Sequence, residues 1–176
     1  MDLRGLLHQT TLCLKKMKCS IQANTFESGF YEIVLFEYGT NKKAAYIHLG
    51  LSQTDLYLAK TRLRSTEPIA VDTINVVSLV VKESYRGRGL AGLLLIYGLC
   101  YLKNLYPSVE YSVLEDVSDG AHLMTRNIYA RLGYEHRDHV NLSNTHRNSV
   151  DTSSPTKVLD MKKTFFHKAN IFLENI

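Results

Sequence analysis

The sequence is poor in cysteine: Cys13, Cys19 and Cys100 are the three in 176 residues, and no two form a CxxC pair. A disulfide scaffold or a zinc ribbon is therefore not expected, and buried thiols in a reducing compartment are. A long apolar run is also missing. The longest uncharged one, Gly89 to Leu102, has 14 residues, where a membrane span needs about 20. It reads as a buried core helix, and no membrane partner is expected. Between Met1 and Leu14 the apolar residues are interrupted by Arg4, His8 and Gln9, so the expectation is no signal peptide and a cytoplasmic location. There is no repeat, no linker and no block of like charge. The net charge is +4, but the basic residues fall in small groups, Lys15/Lys16/Lys18, Lys42/Lys43, Arg62/Arg64 and Lys162/Lys163. Such scatter suits a solvated surface better than a nucleic-acid stripe, and leaves an RNA-bearing substrate open.

What is present is a globular composition, 45% hydrophobic and 22% charged, over a length that suits one domain, residues 1–176. Phe30 to Tyr38 alternates and is rich in aromatic and β-branched residues; Gly39-Thr40-Asn41 then turns the chain into Ala44 to Leu51. This predicts an antiparallel hairpin. Thr11 to Gln22 is read as a further strand, and Thr54 to Leu63 is ambiguous between strand and helix. Ile74 to Val81 is nearly continuous in β-branched residues, which predicts a central strand covered on both faces. A helix follows from Gly89 to Asn104, stopped by Pro107, then a strand over Val109 to Leu114. Ala121, Met124, Ile128 and Leu132 share a helical stripe ended by Gly133, with a short strand from Tyr134. Asp138 to Thr156 is polar and reads as a functional loop, and Val158 to Phe166 as a last strand. The pattern is an α+β, mixed sheet with helices packed on it.

Val80 to Gly92 (VVKESYRGRGLAG) carries the chemistry. A strand, a charged turn, three glycines and a helix start follow one another, so free amides and a positive dipole end meet a backbone that a ligand can approach closely. Arg86 and Arg88 add forked donors for phosphate oxygens. A diphosphate ligand is the natural inference. Gly87, Gly89 and Gly92 also satisfy GxGxxG, with Glu110 21 residues after Gly89, which is a dinucleotide-binding alternative. Against it, five residues separate the strand from the first glycine, and only one strand–helix–strand unit accompanies the motif.

Arg86-Gly87-Arg88-Gly89-Leu90-Ala91 resembles the R/Q-x-x-G-x-G/A signature of the GNAT superfamily of acyl-CoA N-acyltransferases, and Asn127-Ile128-Tyr129-Ala130-Arg131-Leu132-Gly133-Tyr134 is similar to that family's second motif. The resemblance implies a central mixed, mostly antiparallel sheet with helices packed on both faces and a splayed parallel strand pair, Ile74–Val81 and Val109–Leu114. It implies acetyl-CoA as co-substrate and no metal, with the pyrophosphate on Arg86, Gly87, Arg88, Gly89, Leu90, Ala91 and Gly92. Pantetheine and the acyl carbonyl would meet the backbone of Leu79, Val80 and Val81. Tyr129 would protonate the departing thiolate during direct transfer to a primary amine. The acceptor, shaped by residues Met1–Ala70 and Asp138–Thr156, is left open among small amines, proteins and aminoacyl-tRNA, with a homodimer as an option.

Two departures stand out. His122 occupies the place of a frequent Asn, and Ile74 to Val81 lacks the strand carboxylate that many members use as a base, leaving Glu115 and Asp116 as substitutes, with a base relayed through water or no dedicated base as further options. A second reading is therefore a catalytically impaired module that binds CoA and acts through a protein partner. Plainer readings stand beside these: Tyr129 as a core aromatic, the glycines as turn and packing residues, and His48 as a strand residue with a substrate-site role as its alternative. His136, His139 and His146 match no common metal spacing.

Overall fold

The computed structural model describes residues 2–56, 69–115, 127–136, 156–162 and 164–176. Helix α1 (Leu3–Lys16) is capped by Asp2, whose Oδ1 accepts from the Gly5 amide at 2.8 Å, and ends on Lys15 and Lys16, which complement its dipole. Leu6, Thr10 and Leu14 are its buried stripe. The strand expected over Thr11 to Gln22 is thus half helix: the i, i+4, i+8 spacing prevails to Lys16, Lys18 turns the chain at φ 57°, and β1 (Cys19–Phe26) follows.

The expected hairpin forms from β2 (Phe30–Glu37) and β3 (Lys43–Leu56), paired antiparallel with Ile33 opposite Ile47 and Glu32 opposite His48. β4 (Ile69–Val81) pairs antiparallel with β3. Helix α2 (Leu90–Leu105) then carries the chain to β5 (Tyr111–Glu115), which runs parallel to β4. A single turn of helix, α3 (Ile128–Arg131), and two short strands, β6 (Glu135–His136) and β7 (Thr156–Asp160), complete a seven-stranded sheet in the order β1-β2-β3-β4-β5-β7-β6. β4–β5 is its parallel pair and the other neighbours are antiparallel.

Helix α4 (Phe165–Glu174) replaces the end of the strand expected to run to Phe166. Asp160 Oδ1 accepts from the Lys162 amide at 3.0 Å and turns the chain out of the sheet, after which Phe165, Ala169 and Phe172 repeat at helical spacing and are buried. The helix stripe expected from Ala121 lies outside the described residues until Asn127, as do His122, Asp116, His139, His146 and most of the polar loop.

One core joins Leu6 and Leu14 of α1, most of α2, Leu132 after α3, and Phe165 and Phe172 of α4 to the inward side chains Ile33, Ile47, Leu49, Ile74, Val76, Leu114 and Leu159. The described helices therefore share one face of the sheet. The other face carries Glu32, Tyr46, His48, Ser52, Thr54, Thr73, Asn75 and Ser78, following the strand alternation and register. The end of β4 is accordingly not covered on both faces: Val77 is 61% and Val80 37% exposed, whereas Thr73 near its start is buried. A bulge explains the continuous apolar run. His48 pairs with Ser78 but Leu49 with Val76, so Val77 is an extra residue that resets the alternation and returns Leu79 and Val81 to the core side.

Candidate active site

The parallel pairing of β4 and β5 runs from Thr73 opposite Tyr111 to Val76 opposite Leu114 and then stops, while β4 continues to Val81. Ser78 to Val81 pair with β3 on one side, and on the other no strand of the described residues pairs with them, which leaves an opening along that edge. Backbone groups alternate between the two edges of a strand. The Lys82 amide donates to Ala44 O on the β3 side at 2.9 Å, so Val80 also faces β3, while Leu79 and Val81 face the opening. Arg86 Nε reaches Val81 O there at 3.2 Å.

Beyond Val81, one helical turn (Glu83–Tyr85) leads into Gly87 and Gly89, both left-handed at φ 77° and 78°. Gly89 is the N-cap of α2, and the first intrahelical bond runs from the Leu93 amide to Gly89 O at 3.1 Å. The amides of Leu90, Ala91 and Gly92 therefore have no acceptor within the helix, and the dipole makes that end positive. A Cβ on Gly87 would meet nothing within 4 Å, so the loop is open to a ligand. Arg88 lies over the Tyr85 ring at 5.7 Å, and Tyr85 Oη donates to Glu37 Oε2 at 2.9 Å, which raises the Tyr85 phenol. Neither arginine makes an ion pair with a described carboxylate. These are the features a diphosphate needs: free donors, two cations and room.

Gly92 has a different occupant. A Cβ there would stand 2.1 Å from Phe172 Cζ, so its bare Cα is a seat for that ring. Phe172 also takes the Arg131 guanidinium over its face at 5.2 Å. One aromatic ring thus separates the start of α2 from α3.

On α3, Asn127 Oδ1 caps the helix by accepting from the Tyr129 amide at 2.8 Å. Tyr129 is half-buried, edge-on to Tyr134 at 5.9 Å, with Lys157 Nζ 5.8 Å from its ring centre. The two tyrosines are not equivalent. Tyr134 is fully buried; its hydroxyl lies 2.7 Å from Ser112 Oγ, whose own proton goes to Ile74 O at 2.9 Å. Ser112 must then accept, so the Tyr134 proton is committed, and burial pushes its phenol well up.

The sequence matches no family model and no curated protein. Solved structures do match. A mutant of the toxin AtaT is 12% identical with a TM-score of 0.56, over 88% of this chain and 93% of that one. Arabidopsis thaliana NAA60 in complex with acetyl-CoA is 12% identical with a TM-score of 0.52, over 76% and 77%. A GNAT family acetyltransferase from Elizabethkingia anophelis with acetyl-CoA bound is 11% identical with a TM-score of 0.50, over 81% and 98%. The chain has the GNAT fold.

Within that GNAT fold the sequence-predicted residues fall into one continuous segment, Leu79 to Gly92, and one separate residue, Tyr129, reached through Phe172 and Arg131. Glu115 closes β5, beside the opening. Glu110, the carboxylate that a dinucleotide site would use, is paired with Lys162 instead, and a single parallel pair is too little for a doubly wound sheet. Among the described residues no group of three His, Cys, Asp or Glu could hold a metal ion, and no helix is long and apolar enough to cross a membrane.

Sequence reading gave His48 a substrate-site role as an alternative but missed the polar set it joins on the face opposite the helices. His48 Nε2 lies 3.0 Å from Glu32 Oε2, and His48 Nδ1 lies 2.9 Å from Ser78 Oγ. The imidazole contact holds the Glu32 carboxyl below its usual range, against the opposing effect of burial, with Asn24 Nδ2 and Lys43 assisting. Below it, Asn75 Nδ2 donates to Ser52 Oγ at 2.6 Å and Thr73 and Thr54 hydroxyls meet at 2.8 Å. Alternation in the hairpin would have put Glu32 and His48 on one face; their pairing depended on the register.

Proposed function

We propose that this chain is an acetyl-CoA-dependent N-acetyltransferase that moves the acetyl group directly to a primary amine. The observation that carries the reading is the continuity of the open β4 edge with the positive loop. Leu79 and Val81 turn their backbone groups to the opening, where the Val81 carbonyl meets Arg86 Nε at 3.2 Å, and the strand leads within a few residues to Arg86, Gly87, Arg88 and the free amides of Gly89, Leu90, Ala91 and Gly92. An extended amide-bearing arm that ends in a diphosphate fits both halves, and acetyl-CoA supplies a thioester at the end of that arm.

In this arrangement Leu79 and Val81 pair with the pantetheine amides much as a missing strand would. Val80, facing β3, packs rather than pairs. Backbone donors at the bulge stand where a carbonyl oxygen gains charge, and Tyr129 holds the proton for the departing sulfur. The acceptor is an amine on a small molecule, a protein or an aminoacyl-tRNA, and the site works in the cytoplasm, as a monomer or a homodimer. A thermal-shift series tests the reading. Acetyl-CoA at 100 times its Kd should stabilise by about 2.7 kcal/mol, roughly 5–11 °C for a chain of this size, and NAD should do nothing; stabilisation by NAD alone sinks it. The absence of a carboxylate from Ile74 to Val81 supports the second reading, a CoA-binding module without turnover, which would bind acetyl-CoA but release no CoA.

A further inference from the structure

We propose that His48, oriented by Glu32 and reached through the Ser78 hydroxyl, takes the proton from the incoming amine; the inference rests on the N-acetyltransferase reading. β4 from Ile74 to Val81 carries no carboxylate, so an ammonium acceptor needs its base from elsewhere. Ser78 follows the Val77 bulge, two residues past the last pairing of β4 with β5, and so stands beside the opening. Its side chain lies on the face opposite α2, together with His48 and Glu32. A cofactor arm entering from the α2 side and an amine arriving from the other face would meet there.

The hydrogen-bond chemistry gives this chain of groups one direction. A carboxylate only accepts, so His48 Nε2 carries a proton and donates it to Glu32 Oε2 at 3.0 Å. In the neutral ring, the form that acts as a base, His48 Nδ1 is then a bare lone pair and accepts from Ser78 Oγ at 2.9 Å. The Ser78 oxygen, its own proton committed, is left as an acceptor for an N–H of the amine. Rings fix the imidazole on both sides, Phe30 at 5.5 Å and Tyr46 at 5.0 Å. His48 is 28% and Glu32 18% exposed, so a substrate can reach the set while the backing carboxylate is the more covered.

The protons balance as follows. A primary ammonium passes one proton to Ser78 Oγ as the Ser78 proton moves to His48 Nδ1, giving an imidazolium held by Glu32. The neutral amine forms the N–C bond to the acetyl carbonyl and the C–S bond breaks. A second nitrogen proton ends on the departing sulfur, the third stays on the amide, and the imidazolium returns its proton to solvent. Among the described residues, the groups facing His48 are Glu32 from β2, Tyr46 from its own strand and Ser78 from β4; Lys43 acts on Glu32 from the start of β3, and Asn24 of β1 is uncharged.

The test uses the full chain and its His48→Gln, His48→Ala and Ser78→Ala variants. Acetyl-CoA affinity by calorimetry should stay within about twofold in all of them; a parent chain that fails to bind acetyl-CoA overturns the N-acetyltransferase reading itself. CoA release is followed with glycinamide, Nα-acetyl-lysine amide, spermidine and aminoacyl-tRNA as probes. The expected result is a loss of roughly 100-fold in kcat/KM for His48→Gln, disappearance of the acid limb of the pH profile, and partial recovery of His48→Ala by added imidazole. Ring nitrogen NMR of the parent should show the Nε2–H tautomer, and Ser78→Ala should shift the Nδ1 resonance. A parent that binds acetyl-CoA but releases no CoA with any probe, an Nδ1–H tautomer, or a His48→Gln variant with unchanged rate and pH profile overturns the proposal.

Discussion

Replacing Gly92 with alanine separates packing from ligand binding at the glycine loop. Helix propensity alone favours the change by about 1 kcal/mol. The neighbouring ring opposes it: the new Cβ would lie 2.1, 2.6 and 2.7 Å from Cζ, Cε1 and Cε2 of Phe172, where ordinary carbon contacts are about 3.5–4 Å. The ring must retreat by roughly 1.5 Å, yet Phe172 is 6% exposed, in the core and under the Arg131 guanidinium. Overpacking of this kind costs up to about 3 kcal/mol, so the net loss is about 1–2 kcal/mol and the drop in Tm roughly 2–8 °C. The assay is urea and thermal unfolding of Gly92→Ala, Phe172→Leu and the double variant. The double variant should be less unstable than the sum by at least about 1 kcal/mol. Gly98→Ala is the control, because the one tight contact of its Cβ would be the flexible end of Leu49, at 2.8 Å, with Ile47 and Ile33 at ordinary contact distances of 3.5 and 3.6 Å. Strict additivity, or a Gly92→Ala variant more stable than the parent, would refute the seat assigned to Phe172.

Arg86→Glu and Arg88→Glu should each weaken acetyl-CoA binding by about 10–100-fold, the size of a lost charge-assisted contact, while unfolding stays near the parent; calorimetry reads the first and denaturation the second. Tyr129→Phe should lower kcat with acetyl-CoA affinity intact, whereas Tyr134→Phe should cost about 1 kcal/mol of stability; equal turnover in Tyr129→Phe removes its acid role. Glu32→Gln tests the depressed carboxyl by its pH dependence. A carboxyl held low when folded stabilises above its unfolded value, near about 4.3, and loses that contribution as the pH falls through the folded value. The stability gap between parent and variant should thus shrink from pH 7 towards pH 3, and a widening gap contradicts the Glu32–His48 contact. Burial pushes the Cys100 thiol up to about 12 and raises Cys19, while Cys13 is only half-buried, so iodoacetamide at pH 8.5 should label Cys13 first and leave Cys100 until unfolding.

Local signals were read well where one periodicity ruled. The hairpin from Phe30 to Leu51, the apolar helix from Gly89 and the glycine after Leu132 each followed from spacing and turn chemistry. Mixed signals misled. Cys13, Cys19 and Ile21 suggested a strand through a segment whose first part is bound into α1 by Leu6, Thr10 and Leu14. Lys162 to Phe166 was joined to β7 because the Asp160 turn that ends the strand is a contact rather than a composition. At the site, Arg86 to Gly92 was legible because phosphate-binding loops are local in sequence. The His48–Glu32–Ser78 set was not, since it exists only once three strands are in register and a bulge shifts one of them. The packing duty of Gly92 was not legible either, since the ring that sits on its Cα lies 80 residues later at Phe172.

The open edge of β4 makes the centre of the sheet the place where the polypeptide is least complete. In most sheets the inner strands exchange their amide hydrogens last and the rims first. Here Leu79 and Val81 sit on the middle strand of the seven described, with no described strand paired on one side, so slow and fast amides should alternate along a single strand. If the cofactor arm fills that gap, it becomes in effect part of the secondary structure. The persistence of the folded chain in a cell would then follow the supply of its co-substrate, and depletion would remove protein as well as activity.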